Sequence, residues 1–262
     1  MLAELLAASP AGVEEDAGEG WVEYAVYGPP GELPDLGTVD AAAEEGVVEV
    51  TATEVPDDWE DRWQAFHRPV TIAGSVHVRP PWAQEPGDDL IDVVVDPGRG
   101  FGTGAHPTTR LCLELLIDLS RDGHASGALA DWGTGSGVLA VAAARLGWDP
   151  IVACDHDPAA LDNAEANLRA NEVTADVSRV DVRRQRPPGA PTVVANLLTP
   201  LLVELASGPE PEDSRPERLV CSGLLASEAD TVAEAFAAWG LAEHDRRTDS
   251  EWAALLLEAE RR

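Results

Sequence analysis

The sequence contains no lysine: all 18 basic residues are arginine, against 48 aspartates and glutamates, and the formal net charge is −30. A protein that binds nucleic acid needs a basic surface to neutralise phosphates, so this balance argues against direct binding of RNA or DNA. An acidic surface instead attracts a basic partner. The same excess is also typical of a protein solvated in a salty cytoplasm, and the two interpretations can hold together.

Cysteines and long apolar runs are also scarce. The three cysteines, Cys112, Cys154 and Cys221, lie far apart in apolar segments without the spacing of a zinc site or a disulfide framework, so we expect buried free thiols and no metal. The longest apolar run, 138–148, contains Arg145 and falls short of the ~20 residues of a membrane span. The first residues lack the basic flank of a secretion signal. We therefore expect a cytoplasmic monomer without a membrane partner.

With 262 residues and 44% hydrophobic composition, the chain has room for one sizeable domain and a small one. Periodicity and turn residues predict a small α+β domain over residues 1–55, in which the acidic segment Glu14-Glu15-Asp16 is a solvated loop. Its predicted elements are a helix at 2–8, a strand at 21–27, a helix at 36–45 and a strand at 47–53. The predicted main domain covers residues 90–262.

Residues 56–89 are predicted to connect the two domains. A helix that begins after Asp57-Asp58 would place Trp59, Trp63 and Phe66 on one face, which indicates packing between domains. A hairpin is predicted from strands at 70–72 and 76–79 around Gly74.

A glycine-rich turn is the most informative stretch of the main domain. The apolar run that ends at Asp131 predicts a strand, residues 138–146 have helical spacing, and Gly133, Gly135 and Gly137 lie between them. Glycines at such a turn let the backbone approach a ligand, and the free N–H groups of the helix start point at it. The dinucleotide fingerprint requires a sixth-place glycine where this chain has Val138, so a nicotinamide or flavin cofactor is disfavoured.

A second acidic strand end supports a nucleoside site. The run 151–155 ends at Asp155, about 20 residues after the turn, where folds of this kind bind ribose hydroxyls. Asp131 followed by Gly-x-Gly-x-Gly resembles motif I of the Rossmann-like methyltransferases. That resemblance implies S-adenosyl-L-methionine as the cofactor.

A second glycine-rich loop precedes this motif. It reads Asp-Pro-Gly-Arg-Gly-Phe-Gly-Thr-Gly-Ala-His-Pro-Thr-Thr over residues 96–109, and Thr108-Thr109 indicates the start of a helix. Four glycines make a loop costly to order, so it is expected to meet a ligand. The loop together with motif I resembles the ribosomal protein L11 methyltransferases, the PrmA family. Further segments fit that family: Asp155-His156-Asp157-Pro158 with Asn163, Asn167 and Asn171, then Val194-Ala195-Asn196-Leu197-Leu198, and the strands 219–225 and 252–258 on either side of a helix over 228–238.

The resemblance implies an α/β fold: a Rossmann-like class I methyltransferase domain, with a mostly parallel seven-stranded sheet whose last strand is antiparallel, and a small α+β N-terminal domain for substrate recognition. Three departures from the family pattern stand out. The first element predicted is a helix where relatives begin with a strand, Arg99-Gly100 replaces Met-Ala, and Trp132 replaces a smaller apolar residue.

The resemblance, together with the chemistry of individual residues, suggests a set of site residues. The positions assigned to the cofactor are Thr109, Asp131, Gly133, Thr134, Gly135, Gly137, Asp155, Asp181 and Asn196. Those assigned to catalysis or to the acceptor pocket are Asn196, Phe101, Thr108 and His106. Asn196 would accept a hydrogen bond from the acceptor amine and contact the cofactor's methionine part. His106 is expected to orient its loop rather than act as a general base.

Three of these assignments keep an alternative. Asn196 is interpreted as the residue that meets the amine or as a strand-end asparagine that closes a turn before Pro200. Phe101 is interpreted as a lid, a wall of the amine channel or plain packing. Asp181, after a strand predicted at 177–180, is interpreted as an adenine contact or a solvated loop acid.

The implied function is methylation of lysine or N-terminal amines of ribosomal protein L11. A methyltransferase for another protein or a small-molecule amine shares the fold, and a non-catalytic cofactor-binding module is the third possibility. The acidic composition disfavours RNA as the acceptor.

Overall fold

The computed structural model describes residues 13–18, 21–26, 67–97, 104–208, 211 and 215–259. The chain divides into two units, residues 1–66 and 67–262. The domain boundaries predicted after residues 55 and 89 stay predictions.

In the first unit, β1 (Val13–Gly18) pairs antiparallel with β2 (Trp21–Val26), with Val13 opposite Val26. The strand predicted at 21–27 is confirmed, but the interpretation of Glu14-Glu15-Asp16 as a loop is wrong. These acids lie in β1, because hydrogen bonds along the whole of β2 satisfy their backbone N–H and C=O groups and outweigh the low strand propensity of acidic residues. The predicted helices at 2–8, 36–45 and around Trp59, Trp63 and Phe66, and the strand at 47–53, lie outside the described residues.

The second unit begins with a three-stranded sheet. β3 (Val70–Ile72) and β4 (Val76–Arg79) form the predicted antiparallel hairpin, and β5 (Ile91–Val94) lies parallel to β4. At the hairpin turn Gly74 has φ +63°, which glycine adopts without strain. The buried Arg79 guanidinium donates to the Asp92 carboxylate at 2.8–3.1 Å and so ties β4 to β5.

A seven-stranded sheet forms the centre of this unit. Its strands are β6 (Leu129–Trp132), β7 (Ile151–Asp155), β8 (Ala175–Arg179), β9 (Thr192–Asn196), β10 (Arg218–Leu225), β11 (Leu241–Asp249) and β12 (Trp252–Ala259). The spatial order is β11-β12-β10-β9-β6-β7-β8. Strands β6 to β10 are parallel, and only β12 runs antiparallel to its neighbours. The predicted sheet, with its antiparallel last strand, is confirmed.

Helices connect these strands. They are α1 (Pro107–Arg121), α2 (Val138–Leu146), α3 (Pro158–Ala170), α4 (Thr199–Ser207) and α5 (Ala229–Phe236). The continuous helix predicted over 228–238 is wrong in its extent, because 3₁₀ turns at Ala226–Glu228 and Ala237–Trp239 flank a shorter α-helix. The Glu228 carboxylate accepts from the Leu225 amide, which tightens the first of these turns. None of the described helices is long and apolar enough to cross a membrane.

Both faces of the seven-stranded sheet are buried. One face packs with α1, α2 and the three-stranded sheet, and the other packs with α4 and α5. Side chains alternate along each strand, so Leu129 faces the first core while Ala130 and Trp132 face the second. The three cysteines are buried free thiols, as predicted. Because β6 to β10 are parallel, their polar carboxyl ends meet at one edge of the sheet.

Candidate functional site

The glycine turn between β6 and α2 lies at this carboxyl edge. Gly133, Gly135 and Gly137 all have φ between +54° and +80°, which disfavours any residue with a Cβ. The amides of Gly133 and Thr134 donate to the carbonyl oxygen of Cys154 at 2.9 and 3.0 Å, which fixes the turn to β7. A Cβ on Gly133 would lie 2.4 Å from Leu197 Cδ2. The turn is therefore packed directly against the end of β9.

Asp155 is anchored at the end of β7 by backbone amides. Its Oδ2 accepts from the Gly135 amide and its Oδ1 from the Asp157 amide, both at 3.0 Å, and His156 Nδ1 lies 3.1 Å from Oδ1. Oδ2 has a second lone pair, and so has Oδ1 when His156 does not donate to it, so the group can still accept from a ligand. The structure thus holds a carboxylate in fixed position beside the glycine turn, as a ribose diol requires.

Asp131 has a different environment. Its side chain is fully buried, its Oδ2 accepts from the Thr134 hydroxyl at 2.7 Å, and its Oδ1 has no hydrogen-bond partner. Burial raises the pKa of this carboxyl group to about 7. The Thr134 hydroxyl lowers it only in part, and so does the Ala140 amide, which lies near the carboxyl group without completing a hydrogen bond. A buried acceptor without a donor is unusual in a native fold. A ligand that brings an N–H group to this position would satisfy it.

His106 begins α1. Its Nδ1 accepts from the Thr108 amide at 3.3 Å and lies 2.8 Å from the Thr108 hydroxyl, so His106 is the N-cap and the predicted start at Thr108-Thr109 is wrong by two to three residues. Pro107 in the first turn was the signal available for this boundary. The ring packs edge-on against Trp252 at 5.2 Å, and burial lowers the pKa of the imidazole.

The first turn of α1 meets the end of β9. The Asn196 side chain donates through Nδ2 to the hydroxyl of Thr109 at 3.3 Å, although the two residues are 87 positions apart. Thr109 is fully buried and Asn196 is half-buried. This contact brings two predicted site residues together, and it leaves the Asn196 carbonyl oxygen as an acceptor. Thr108 is 1% exposed, with its hydroxyl directed to His106.

Two predicted residues are not brought to this group by the described contacts. The Asp181 carboxylate accepts from the Arg183 amide at 3.1 Å and lies 3.4 and 3.6 Å from the Arg183 and Arg184 guanidinium groups. It therefore closes its own turn after β8, and its role toward adenine stays a prediction. Phe101 lies outside the described residues.

An asparagine of α3 and the asparagine that caps its C-terminus hold the start of the second glycine loop. Asn171 accepts from the Val94 amide through Oδ1 and donates to the Val94 carbonyl through Nδ2, at 2.8 and 2.6 Å. Asn167 accepts from the Asp96 amide and donates to the Ser136 carbonyl, both at 2.8 Å. These side chains fix β5 and the residue before Pro97 to the glycine turn.

Sequence reasoning missed the part played by Gly223. Its φ is +84°, and a Cβ there would lie 2.5 to 2.9 Å from the backbone of Leu197. The pairing of β10 with β12 also shifts between Ser222 and Leu224, which marks a β-bulge. A glycine inside an apolar strand is the usual signal of a bulge or a close backbone approach.

Comparison with known proteins places the chain in a family. The model of the family "Ribosomal protein L11 methyltransferase (PrmA)" matches residues 35–260. The ribosomal protein L11 methyltransferase of Geotalea uraniireducens is 37% identical over 217 residues, which cover 79% of this chain and 69% of the relative. That of Symbiobacterium thermophilum is 35% identical over 223 residues, which cover 84% of this chain and 70% of the relative.

The fold is also similar to that of a solved relative. That relative is the ribosomal protein L11 methylase of Lactobacillus delbrueckii subsp. bulgaricus, with a TM-score of 0.65 and 24% sequence identity, and the match covers 74% of this chain and 100% of that one. The likeness concerns the fold alone. The family match, the two relatives and the arrangement of the sheet agree, and the chain belongs to the ribosomal protein L11 methyltransferase (PrmA) family of class I methyltransferases.

Proposed function

We propose that this protein is an S-adenosyl-L-methionine-dependent N-methyltransferase that acts on lysine or N-terminal amines of ribosomal protein L11. The contact between Asn196 and Thr109 carries the proposal, because it joins the loop before motif I to the end of β9. The relatives at 37% and 35% identity are named for this substrate. The excess of acids also suits a basic protein as the partner.

The residues at the carboxyl edge fit the cofactor. Asp155 would bind the ribose hydroxyls, and the glycine turn would allow close approach of the methionine part. The unpartnered Oδ1 of the buried Asp131 would accept from the amino group of that part, directly or through water. S-adenosylmethionine supplies a methyl group on a positively charged sulfur.

Asn196 is assigned to orient the acceptor amine. Its Nδ2 is committed to Thr109, so its carbonyl oxygen is the atom that can accept from an amine N–H. The amine must arrive neutral to attack. Lysine has an ordinary pKa of about 10.4, and transfer into an apolar site beside a positive charge lowers it, so the proton is lost to water before attack. Orientation of the amine toward the methyl group then supplies much of the rate acceleration.

His106 is assigned to loop positioning. As the N-cap of α1 it accepts from an amide through Nδ1, which places the proton of the neutral ring on Nε2. A ring in this state has no lone pair left for a substrate proton. Protonation of Nδ1 would break the cap and place a positive charge at a helix N-terminus, which is unfavourable.

The proposal is tested by finding where a labelled methyl group goes. Purified protein and labelled cofactor are incubated separately with ribosomal protein L11, ribosomal RNA and small amines. Label is expected on ribosomal protein L11, on lysine or the N-terminal amine. Asn196→Ala should lower kcat about a hundredfold, the scale of a misplaced reactant, with a smaller change in cofactor affinity. The melting temperature should fall by only a few degrees, because the buried Thr109 hydroxyl loses one donor.

Because the chain has no lysine, label on its own lysine side chains cannot obscure the result. Label confined to RNA or to a small amine would contradict the proposal and favour the alternative acceptors. Cofactor binding without transfer to any of them would favour a non-catalytic module.

A further inference from the structure

Leu198 is an apolar side chain left in solvent beside the proposed site. It is 68% exposed, and Trp82 is the other large apolar side chain among the described residues that is exposed. It lies two positions after Asn196 and is the N-cap of α4 in an extended conformation, with φ −61° and ψ 145°. We propose that Leu198 is a specificity-determining residue that contacts the alkyl stem of an acceptor lysine. This inference rests on the proposed function.

The backbone that carries Leu198 is held from several sides. The Leu197 amide donates to the Ser222 carbonyl at 3.0 Å, which extends the pairing of β9 with β10 by one residue. The Leu197 backbone lies against Gly223, and its side chain lies against Gly133. Leu198 therefore projects from a segment that needs no ordering when a substrate arrives.

The residue that follows Leu198 is held by hydrogen bonds as well. The Thr199 hydroxyl donates to the Glu228 carboxylate at 2.6 Å, and the same Oε2 accepts from the Leu225 amide at 3.2 Å. These contacts join the start of α4 to the end of β10. Leu198 does not act as a core residue, because its own side chain is exposed. The residues on either side of it are nevertheless held by hydrogen bonds.

Strand geometry places Leu198 near the acceptor. Side chains alternate along a strand, and Leu197 still makes a strand hydrogen bond, so Leu198 projects to the same side as Asn196. Asn196 is the residue assigned to the amine nitrogen. An apolar side chain on that side is suited to methylene groups behind the nitrogen, which lysine has and an N-terminal α-amine lacks. Leu198 should therefore favour lysine over the α-amine.

The test uses two forms of ribosomal protein L11. In one the α-amine is acetylated, so that only lysines accept. In the other the lysines are guanidinated to homoarginine, which keeps their charge and leaves the α-amine as acceptor. Leu198→Ser should raise KM for the acetylated form about tenfold, equivalent to about 1.4 kcal/mol, with kcat and cofactor affinity changed less than about twofold. Leu198→Met should retain near-normal KM, and the guanidinated form should be unaffected by either change.

Val203→Ser is the control. It also removes an apolar side chain from α4, but one that is partly buried against the second core rather than exposed, so it should lower the unfolding free energy and leave both KM values unchanged. An unchanged KM for Leu198→Ser, with wild-type transfer to lysine intact, would overturn this inference and leave the proposed function standing. Wild-type transfer to the α-amine alone would also overturn it. Absence of any wild-type transfer to ribosomal protein L11 would overturn both.

Discussion

Two carboxyl groups at the same sheet edge are placed in opposite electrostatic environments. Asp155 accepts from two backbone amides at the end of β7. Asp131 is fully buried, has one partnered oxygen, and has a pKa raised to about 7 by burial. One carboxyl group is thus held by backbone donors at the proposed ribose site, while the other is buried behind the glycine turn.

The raised pKa of Asp131 predicts a pH dependence of stability. Between the ordinary value of 3.8 and about 7, the folded protein holds a proton that the unfolded chain has lost. The contribution of this proton to the stability of the fold is therefore fully present below pH 3.8, falls as pH rises through this range, and is gone above about pH 7. Asp131→Asn cannot titrate. From pH 5 to pH 6 the unfolding free energy of wild type should fall relative to this variant by about 1.4 kcal/mol per pH unit, and by about half that slope at pH 7, as measured by urea unfolding.

Asp162→Asn, the same change on the exposed side of α3, controls for the loss of one formal charge. Parallel curves for wild type and Asp131→Asn across this range would show that Asp131 is ionised in the folded protein throughout.

At the scale of elements, the site is assembled where four parallel strands end. The glycine turn after β6 packs against Leu197, Asp155 ends β7, and Asn196 ends β9 beside the first turn of α1. At the bulge in β10, the Leu197 backbone lies so close to Gly223 that a Cβ at this position would overlap it. The site is therefore sensitive to one methyl group on β10, a strand that supplies none of the predicted site residues.

A matched pair of glycines isolates this contact. Gly223 and Gly123 have φ values of +84° and +80°, but a Cβ at Gly123 would have no atom within 4 Å. Gly123→Ala should cost about 1–2 kcal/mol from backbone strain alone. Gly223→Ala carries the same strain and also displaces Leu197, which adds about 1–3 kcal/mol and should slow methyl transfer. Equal losses of unfolding free energy in the two variants would show that the Leu197 segment moves away freely.

Much of this arrangement could be predicted from the sequence, because several of its residues lie close together along the chain. Strand, glycine turn, helix and second acid follow one another within about 25 residues, so spacing indicated Gly133 and Asp155, and the resemblance to motif I added Asp131. The contact of Asn196 with Thr109 depends on how α1 packs on the sheet, and no local pattern encodes it. The same holds for β1, whose acids are held in a strand by pairing with β2, and for Gly223, whose neighbour Leu197 lies 26 positions away.

At the scale of the whole molecule, charge is the dominant feature. Eighteen arginines cannot balance 48 acids, and the described arginines often bind more than one carboxylate each. Arg246 lies 2.6 Å from both Asp230 and Glu243, and Arg247 bonds Asp118 and Asp245. The remaining acids leave a strongly negative protein, which fits a basic protein substrate and also fits solvation in salt.

The proposed function and the role proposed for Leu198 both depend on one claim, that the carboxyl edge of the sheet binds S-adenosylmethionine through Asp155. Calorimetric titration of the cofactor tests it most directly, with Asp176→Ala, an exposed carboxylate in mid-strand on β8, as the matched control. Wild type and Asp176→Ala should bind with equal affinity. Asp155→Ala should lose at least about a hundredfold, since two charged hydrogen bonds contribute about 1.5–3 kcal/mol each, while its melting profile remains cooperative. Wild-type affinity in a folded Asp155→Ala would contradict the account.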